Sequence, residues 1–255
     1  VKDGALIPRF GRARRDPSLA VLEGFHPVKH ALRFGAELQL LVTSDPEELQ
    51  RLAAVLAPDL GPRLAQAQVL EREVFEQLSP LAPSTAVMAI AERPAVRPGE
   101  VLASAHPAPV ILLEDPRDLG NMGACVRVAA AADAAGVLTT GTHDPWHPDA
   151  LRGAAGLHFA LPVSRLASLR EIEDGDRPLL ALDPAGAPLP VGSLPPRSVL
   201  AFGTERHGLS EELAGRAQQL IRIPMRDGVS SLNLATAVAA VLFAWRAATG
   251  DQAGG

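Results

Sequence analysis

Apolar positions along this chain follow a strand-like rhythm and a helix-like rhythm in alternation. The run SLAVLEG reads as a strand closed by Gly24. HPVKHALRFG then reads as a helix, with Pro27 in its first turn and Gly35 at its end. AELQLLVTSD is a second strand. PEELQRLAAVLA is a helix with Glu47 and Glu48 in the first turn, where the peptide dipoles favour negative charge. STAVMAIAE is a further short strand. The next stretch, RPAVRPGEVLASAHPAP, is rich in proline and small residues and lacks a helical period, as a linker does. The pattern therefore predicts an N-terminal α/β domain over 1–91, a linker over 92–108 and a second domain over 109–255.

From Val110 the alternation is cleaner. VILLED is a continuous apolar run, the signature of a parallel strand covered on both faces. NMGACVRVAAAADAAG is predicted as a helix stopped by Gly136. Then come a strand (VLTTG), a short helix (HPDALRGAAG), a strand or extended piece (HFALPVS) and two strands (PLLALD and SVLAFG). SEELAGRA is a helix, QLIRIPM a last strand, and an apolar helix closes the pattern. Strands alternating with helices predict an α/β fold: a mostly parallel sheet with helices on both faces. In such sheets ligands bind beyond the carboxyl ends of the strands.

Composition narrows the function classes. The chain has 255 residues, 47% of them hydrophobic, enough for a real core. Its net charge of −5 gives no global field for nucleic acid, although local Lys and Arg suffice for phosphate contacts. The single cysteine, Cys125, excludes an intrachain disulfide and a multi-thiolate zinc site, and no metal is expected. A reducing, cytoplasmic location fits the single cysteine, and VKDGALIPRFGRARR shows no apolar core of a signal peptide. The uncharged run from Gly228 to Trp245 approaches membrane-spanning length. It holds Ser230, Ser231, Asn233 and Thr236, and reads as a loop plus a buried helix.

Three loops at strand ends carry candidate chemistry. In EDPRDLGNMGACVR, Gly120 and Gly123 permit tight turning and Asn121 offers a helix cap. Arg127 interrupts an apolar run, either snorkelling from a packed helix, pairing at a subunit contact, or acting on a ligand. In AFGTERHGLS, Ser210 starts a helix and Glu205 lies in the turn, as an exposed charge or a functional one; His207 reads as surface. In IPMRDGVSSLN, Ser230 or Ser231 caps the following helix. Asn233, one turn in, is then surplus to capping. Neither G-x-G-x-x-G nor a Walker lysine is present.

Together and in this order, DPRDLGNMGACVR, the set Gly203, Glu205 and Gly208, and IPM followed by SSLNLATAVAA resemble the three motifs of the SpoU (TrmH-like) branch of the SPOUT RNA methyltransferases. Asp118 stands where asparagine is frequent. The resemblance covers about Val110 to Ala248, and LEGFHPVKHAL resembles the ribosomal-protein-like RNA-binding domain that many members carry. It implies a C-terminal trefoil knot, bound S-adenosylmethionine, a homodimer through the knotted domain, and methyl transfer to a ribose 2′-hydroxyl of ribosomal or transfer RNA. By position it implies cofactor contacts from Phe202, Gly203, Ile223, Met225 and Leu232, with Thr140 and Gly141 nearby. It gives Arg127 the key role, supported by Asn121, Glu205, Ser231 and Asn233. A guanidinium is a poor base, so Arg127 is expected to fork onto a phosphate and stabilise developing alkoxide charge. Ser231 and Asn233 are expected to brace the third loop against the other two. RNA contact is expected from Arg12, Arg14 and Arg15 in an N-terminal arm, the alternative being a solvated tail, and from Arg117 and Arg152 near the cofactor mouth. Two rival readings remain. One is a non-catalytic RNA-binding or ribosome-assembly protein on the same scaffold, motivated by the acidic charge and Asp118. The other, a small-molecule enzyme with another nucleotide cofactor, is opposed by the missing phosphate fingerprints.

Overall fold

The computed structural model describes residues 3–172, 176–189, 192, 194–204 and 208–250. The chain divides into two compact units. The first comprises Val1–Ala95 with Trp146–Ala160, the second Val96–Pro145 with Leu161–Gly255.

In the first unit the elements are α1 (Leu6–Ala13), β1 (Leu19–Glu23), α2 (Phe25–Arg33), β2 (Leu38–Thr43), α3 (Pro46–Leu56), α4 (Gly61–Leu64), β3 (Gln68–Val69), α5 (Arg72–Glu76) and β4 (Val87–Glu92). The sheet order is β1-β4-β2-β3; β4 runs antiparallel to both neighbours, and β2 and β3 are parallel. The N-terminal arm is not a tail. Leu6, Phe10 and Ala13 lie one or two turns apart on one face of α1 and are buried against Val21, Val42, Phe75 and Met88.

The second unit contains α6 (Pro98–Ala103), β5 (Val110–Leu113), α7 (Leu119–Ala131) and β6 (Gly136–Thr139). Next, α8 (Pro148–Gly153) belongs to the segment that groups with the first unit. Then follow β7 (Val163–Arg165), β8 (Leu179–Pro188), β9 (Val199–Phe202), α9 (Glu211–Arg216), β10 (Gln219–Arg222) and α10 (Leu234–Gly250). All six strands are parallel, in the order β10-β8-β9-β5-β6-β7. Val110, Ile111, Leu112 and Leu113 have no exposed surface, as expected of a strand covered on both faces.

Three local expectations are corrected. The stretch read as a linker contains α6, started by Pro98, with the Glu100 carboxylate accepting from the Arg97 backbone N–H and guanidinium. It is held further by the buried Arg177, whose guanidinium donates to the carbonyls of Leu102, Ser104, His106 and Ala108 at 2.7–3.2 Å. Helix α7 ends at Ala131 rather than at Gly136, because Asp133 takes a left-handed conformation with φ +59° and Gly136 opens β6 instead. The extended piece HFALPVS starts as a 3-10 turn over Leu157–Phe159, and pairing begins only at Val163, after Pro162.

Candidate functional site

Four segments leave the carboxyl ends of the parallel strands and meet around one cavity or brace it. After β5, Glu114 is buried and accepts from the backbone nitrogen of Ser210 at 2.8 Å and from its hydroxyl at 2.5 Å. The same Ser210 oxygen caps α9 by accepting from Leu213 N. The first loop is thereby fastened to the second. This buried carboxylate escaped the sequence reading; its signal is an acid placed directly after four apolar strand residues.

Asp118, not Asn121, caps α7, accepting the Asn121 N–H at 2.6 Å. Gly120 and Gly123 are inside the helix rather than in the turn before it. With its backbone satisfied by Asp118, Asn121 uses its side chain elsewhere: its Oδ1 accepts from Asn233 Nδ2 at 3.0 Å. Asn233 is in turn the cap of α10, its Oδ1 accepting from Ala235 N at 3.0 Å and Thr236 N at 3.3 Å. Neither Ser230 nor Ser231 caps that helix, which begins at Leu234. The asparagine read as surplus is the residue that both starts the helix and joins the third loop to the first.

After β9 the chain closes on itself. Thr204 N donates to Gly208 O at 2.9 Å, and Gly208 N returns to Thr204 O at 3.1 Å. Only glycine fits at 203, since a Cβ there would stand 2.1 Å from the Gly208 carbonyl carbon. Glu205 and His207 lie outside the described residues.

The cavity measures about 320 Å³, at the small end of the range for organic ligands. Phe202, Gly203, Ile223, Met225, Ser231 and Leu232 line it, together with Leu182, Asp183 and Pro184, which no sequence signal singled out. Thr140 and Gly141 are not in its walls. They are engaged with Asp115 instead: Thr140 Oγ1 accepts from Asp115 N at 2.9 Å, and Gly141 packs against the Asp115 side chain. Asn121, Asn233 and Arg127 are also outside the wall. Arg127 is exposed on α7, and no hydrogen bond or ion pair joins it to another described residue.

The expected RNA contacts divide sharply. Arg12 and Arg15 are exposed. Arg14 and Arg152 both hold the buried Glu23, each at 2.6 Å, and Arg152 also reaches Asp149 at 2.9 Å. Burial disfavours the charged form of Glu23, yet hydrogen bonds from Arg14, Ser79 and Arg152 outweigh it, so its pKa lies below the ordinary carboxylate value. Arg152 lies in the segment that groups with the first unit, and there it pairs with Glu23. Arg117 is exposed and pairs with Asp115 at 2.8 Å. Among the described residues no cluster of three or more His, Cys, Asp or Glu could hold a metal, and no helix is long and apolar enough to cross a membrane.

Fold and site define an α/β protein that receives a small organic ligand in clasping loops beyond parallel strand ends. Within that class the chain belongs to the SpoU rRNA methylase family, whose profile matches residues 108–243. It is 30% identical over 232 residues to the 23S rRNA (adenosine(1067)-2'-O)-methyltransferase of Streptomyces laurentii, spanning 87% of this chain and 83% of that protein. The AdoMet-bound rRNA methyltransferase from Sinorhizobium meliloti superposes with a TM-score of 0.74 at 27% identity, over 96% of this chain and 94% of that one. The SpoU methyltransferase AviRb from Streptomyces viridochromogenes shares the fold, with a TM-score of 0.77 at 22% identity over 96% of this chain and 98% of that one.

Proposed function

We propose that this protein transfers a methyl group from S-adenosylmethionine to a ribose 2′-hydroxyl of ribosomal RNA. The observation that carries the reading is the cavity of about 320 Å³, walled by residues of the second and third motifs and braced through Asn233 to the first. Its walls suit the cofactor. Phe202, Ile223, Met225 and Leu232 offer apolar surface, while Ser230, Ser231 and the backbone of Gly203 and Thr204 offer a few polar groups. We further read the three loops as the turns of a trefoil knot.

The cofactor supplies a sulfonium methyl group that is already electrophilic. The chain must align the ribose oxygen with it and dispose of the hydroxyl proton. Arg127 carries a charge that no described residue neutralises, and in this reading it forks onto an RNA phosphate and stabilises negative charge on the oxygen. A phosphate oxygen or water takes the proton. Asn121 and Asn233 hold the loops in register.

Arg127 does not line its own chain's cavity. A homodimer is the assembly that would bring a guanidinium to the methyl donor. Supporting it, Ala240, Phe243 and Ala247 form an exposed apolar stripe on α10, the helix packed against α7. The first unit is read as the RNA-binding domain, with Arg12 and Arg15 among its exposed cations, and the protein as cytoplasmic.

The test is methyl transfer from labelled S-adenosylmethionine to total RNA from a strain lacking this protein, followed by mapping of the modified ribose. Arg127→Ala should fold and bind cofactor while losing about 100-fold or more in transfer rate. A folded, cofactor-binding Arg127→Ala protein with the wild-type rate refutes the assigned role.

A further inference from the structure

Among the described residues, the wall of the cavity contains one carboxylate, to which the reading above gives no task. Strand β8 pairs with β10 at Ala181–Leu220 and again at Ala187–Ile221. Residues 182–186 therefore leave the ladder opposite two consecutive residues of β10, a bulge far larger than the usual single residue. The excursion is held at both ends. Asp183 Oδ1 accepts the Ala185 N–H at 2.7 Å, folding the loop back on itself. Gly186 approaches β10 so closely that a Cβ would lie 2.6 Å from the Ile221 nitrogen. Its carbonyl accepts from Arg222 Nη1 at 2.8 Å. This bracing sets Leu182, Asp183 and Pro184 into the cavity wall.

Among the described wall residues only Asp183 and Arg222 are charged. The Arg222 guanidinium is engaged with the Gly186 carbonyl on the same bulge. Among the described residues Asp183 accepts one hydrogen bond, from the Ala185 backbone amide, and forms no ion pair. The remaining wall is apolar side chains, hydroxyls and backbone. A carboxylate set into such a wall acts through an effective dielectric of roughly 20 rather than that of water. It therefore discriminates between ligands by charge.

We propose that the Asp183 carboxylate makes the cavity select the cationic methyl donor over its neutral-sulfur product. The inference rests on the methyltransferase reading. S-adenosylmethionine and S-adenosylhomocysteine share the adenosine, the ammonium and the carboxylate; they differ in the methyl group and the positive charge on sulfur. When the O–CH₃ bond forms, the electron pair of the C–S bond stays on sulfur and the hydroxyl proton passes to water or a phosphate oxygen. The ligand has then lost the charge that Asp183 attracted, and product leaves a site tuned to the donor.

The test is calorimetric binding of both ligands to the wild-type chain, to Asp183→Asn and to Asp183→Glu. Asparagine keeps the volume and the acceptor for the Ala185 N–H, so the bulge stays and only the charge goes. The ratio of donor to product affinity should fall about fivefold or more in Asp183→Asn, with product affinity near wild type, and should be largely kept in Asp183→Glu. An equal loss for both ligands would mean that the carboxylate reads a shared part of them, and would overturn the proposal, as would an unchanged ratio. A wild-type chain that binds neither ligand would overturn the methyltransferase reading and this inference with it.

Discussion

Asn233 offers a clean way to separate two jobs done by one side chain. Its Oδ1 caps α10 through Ala235 N and Thr236 N, and its Nδ2 ties the third loop to Asn121. Removing an asparagine cap costs about 1 kcal/mol. A neutral hydrogen bond between exposed side chains contributes about 0.5 kcal/mol, since water competes for both partners. Asn233→Ala should therefore destabilise the protein by about 1.5 kcal/mol. Asn233→Ser keeps a capping oxygen but cannot reach Asn121, and should cost only about 0.5 kcal/mol. Urea unfolding of Asn233→Ala, Asn121→Ala and the double variant closes a cycle whose coupling should be about 0.5 kcal/mol. Strict additivity, or a serine variant as damaged as the alanine one, would refute the division of labour. Cofactor affinity supplies an independent readout. It should fall in Asn233→Ser, where the helix start is intact and only the link between loops is gone.

Two further outcomes follow from the geometry. Gly203→Ala should lower S-adenosylmethionine affinity by more than about tenfold in calorimetry, because the new Cβ meets Gly208 backbone that cannot yield without opening the Thr204–Gly208 clasp; near-wild-type affinity would contradict this. The depressed pKa of Glu23 means that its contribution to stability is complete above the unfolded value of about 4.3 and is lost as pH falls through the lower folded value. Urea midpoints of the wild type and Glu23→Gln should thus differ most near neutrality and converge in acid, whereas a constant gap across that window would show that the Arg14 and Arg152 pairs contribute no pH-linked stability.

The order of elements was largely legible from periodicity. Buried parallel strands such as Val110–Leu113 are unbroken apolar runs, and helices such as Pro46–Leu56 carry their caps and acidic first turns in the local sequence. The α1 helix was missed: Leu6, Phe10 and Ala13 have the spacing of one helix face, but Pro8 and Gly11 within it mask the signal. The linker helix was hidden similarly, because six residues started by Pro98 give too little length for a period to emerge. The errors at α7 and α10 concern which of several adjacent polar residues caps the helix. Asp118, Asn121, Ser230, Ser231 and Asn233 are all competent cappers by residue type, and only the path of the neighbouring backbone selects among them.

What the sequence determined by itself is local or pattern-borne. It set where strands and helices alternate, that the chemistry-bearing loops follow strand ends, and which family the ordered motifs resemble. Tertiary structure alone decided that Asn233 meets Asn121 across 112 residues, that Glu23 captures Arg152 across 129, and that a bulge in β8 carries Asp183 into the cavity wall. The physical reason is range. Backbone geometry imposes its periods over a few residues, whereas these pairings depend on strand order and register, which are settled only when the whole core packs.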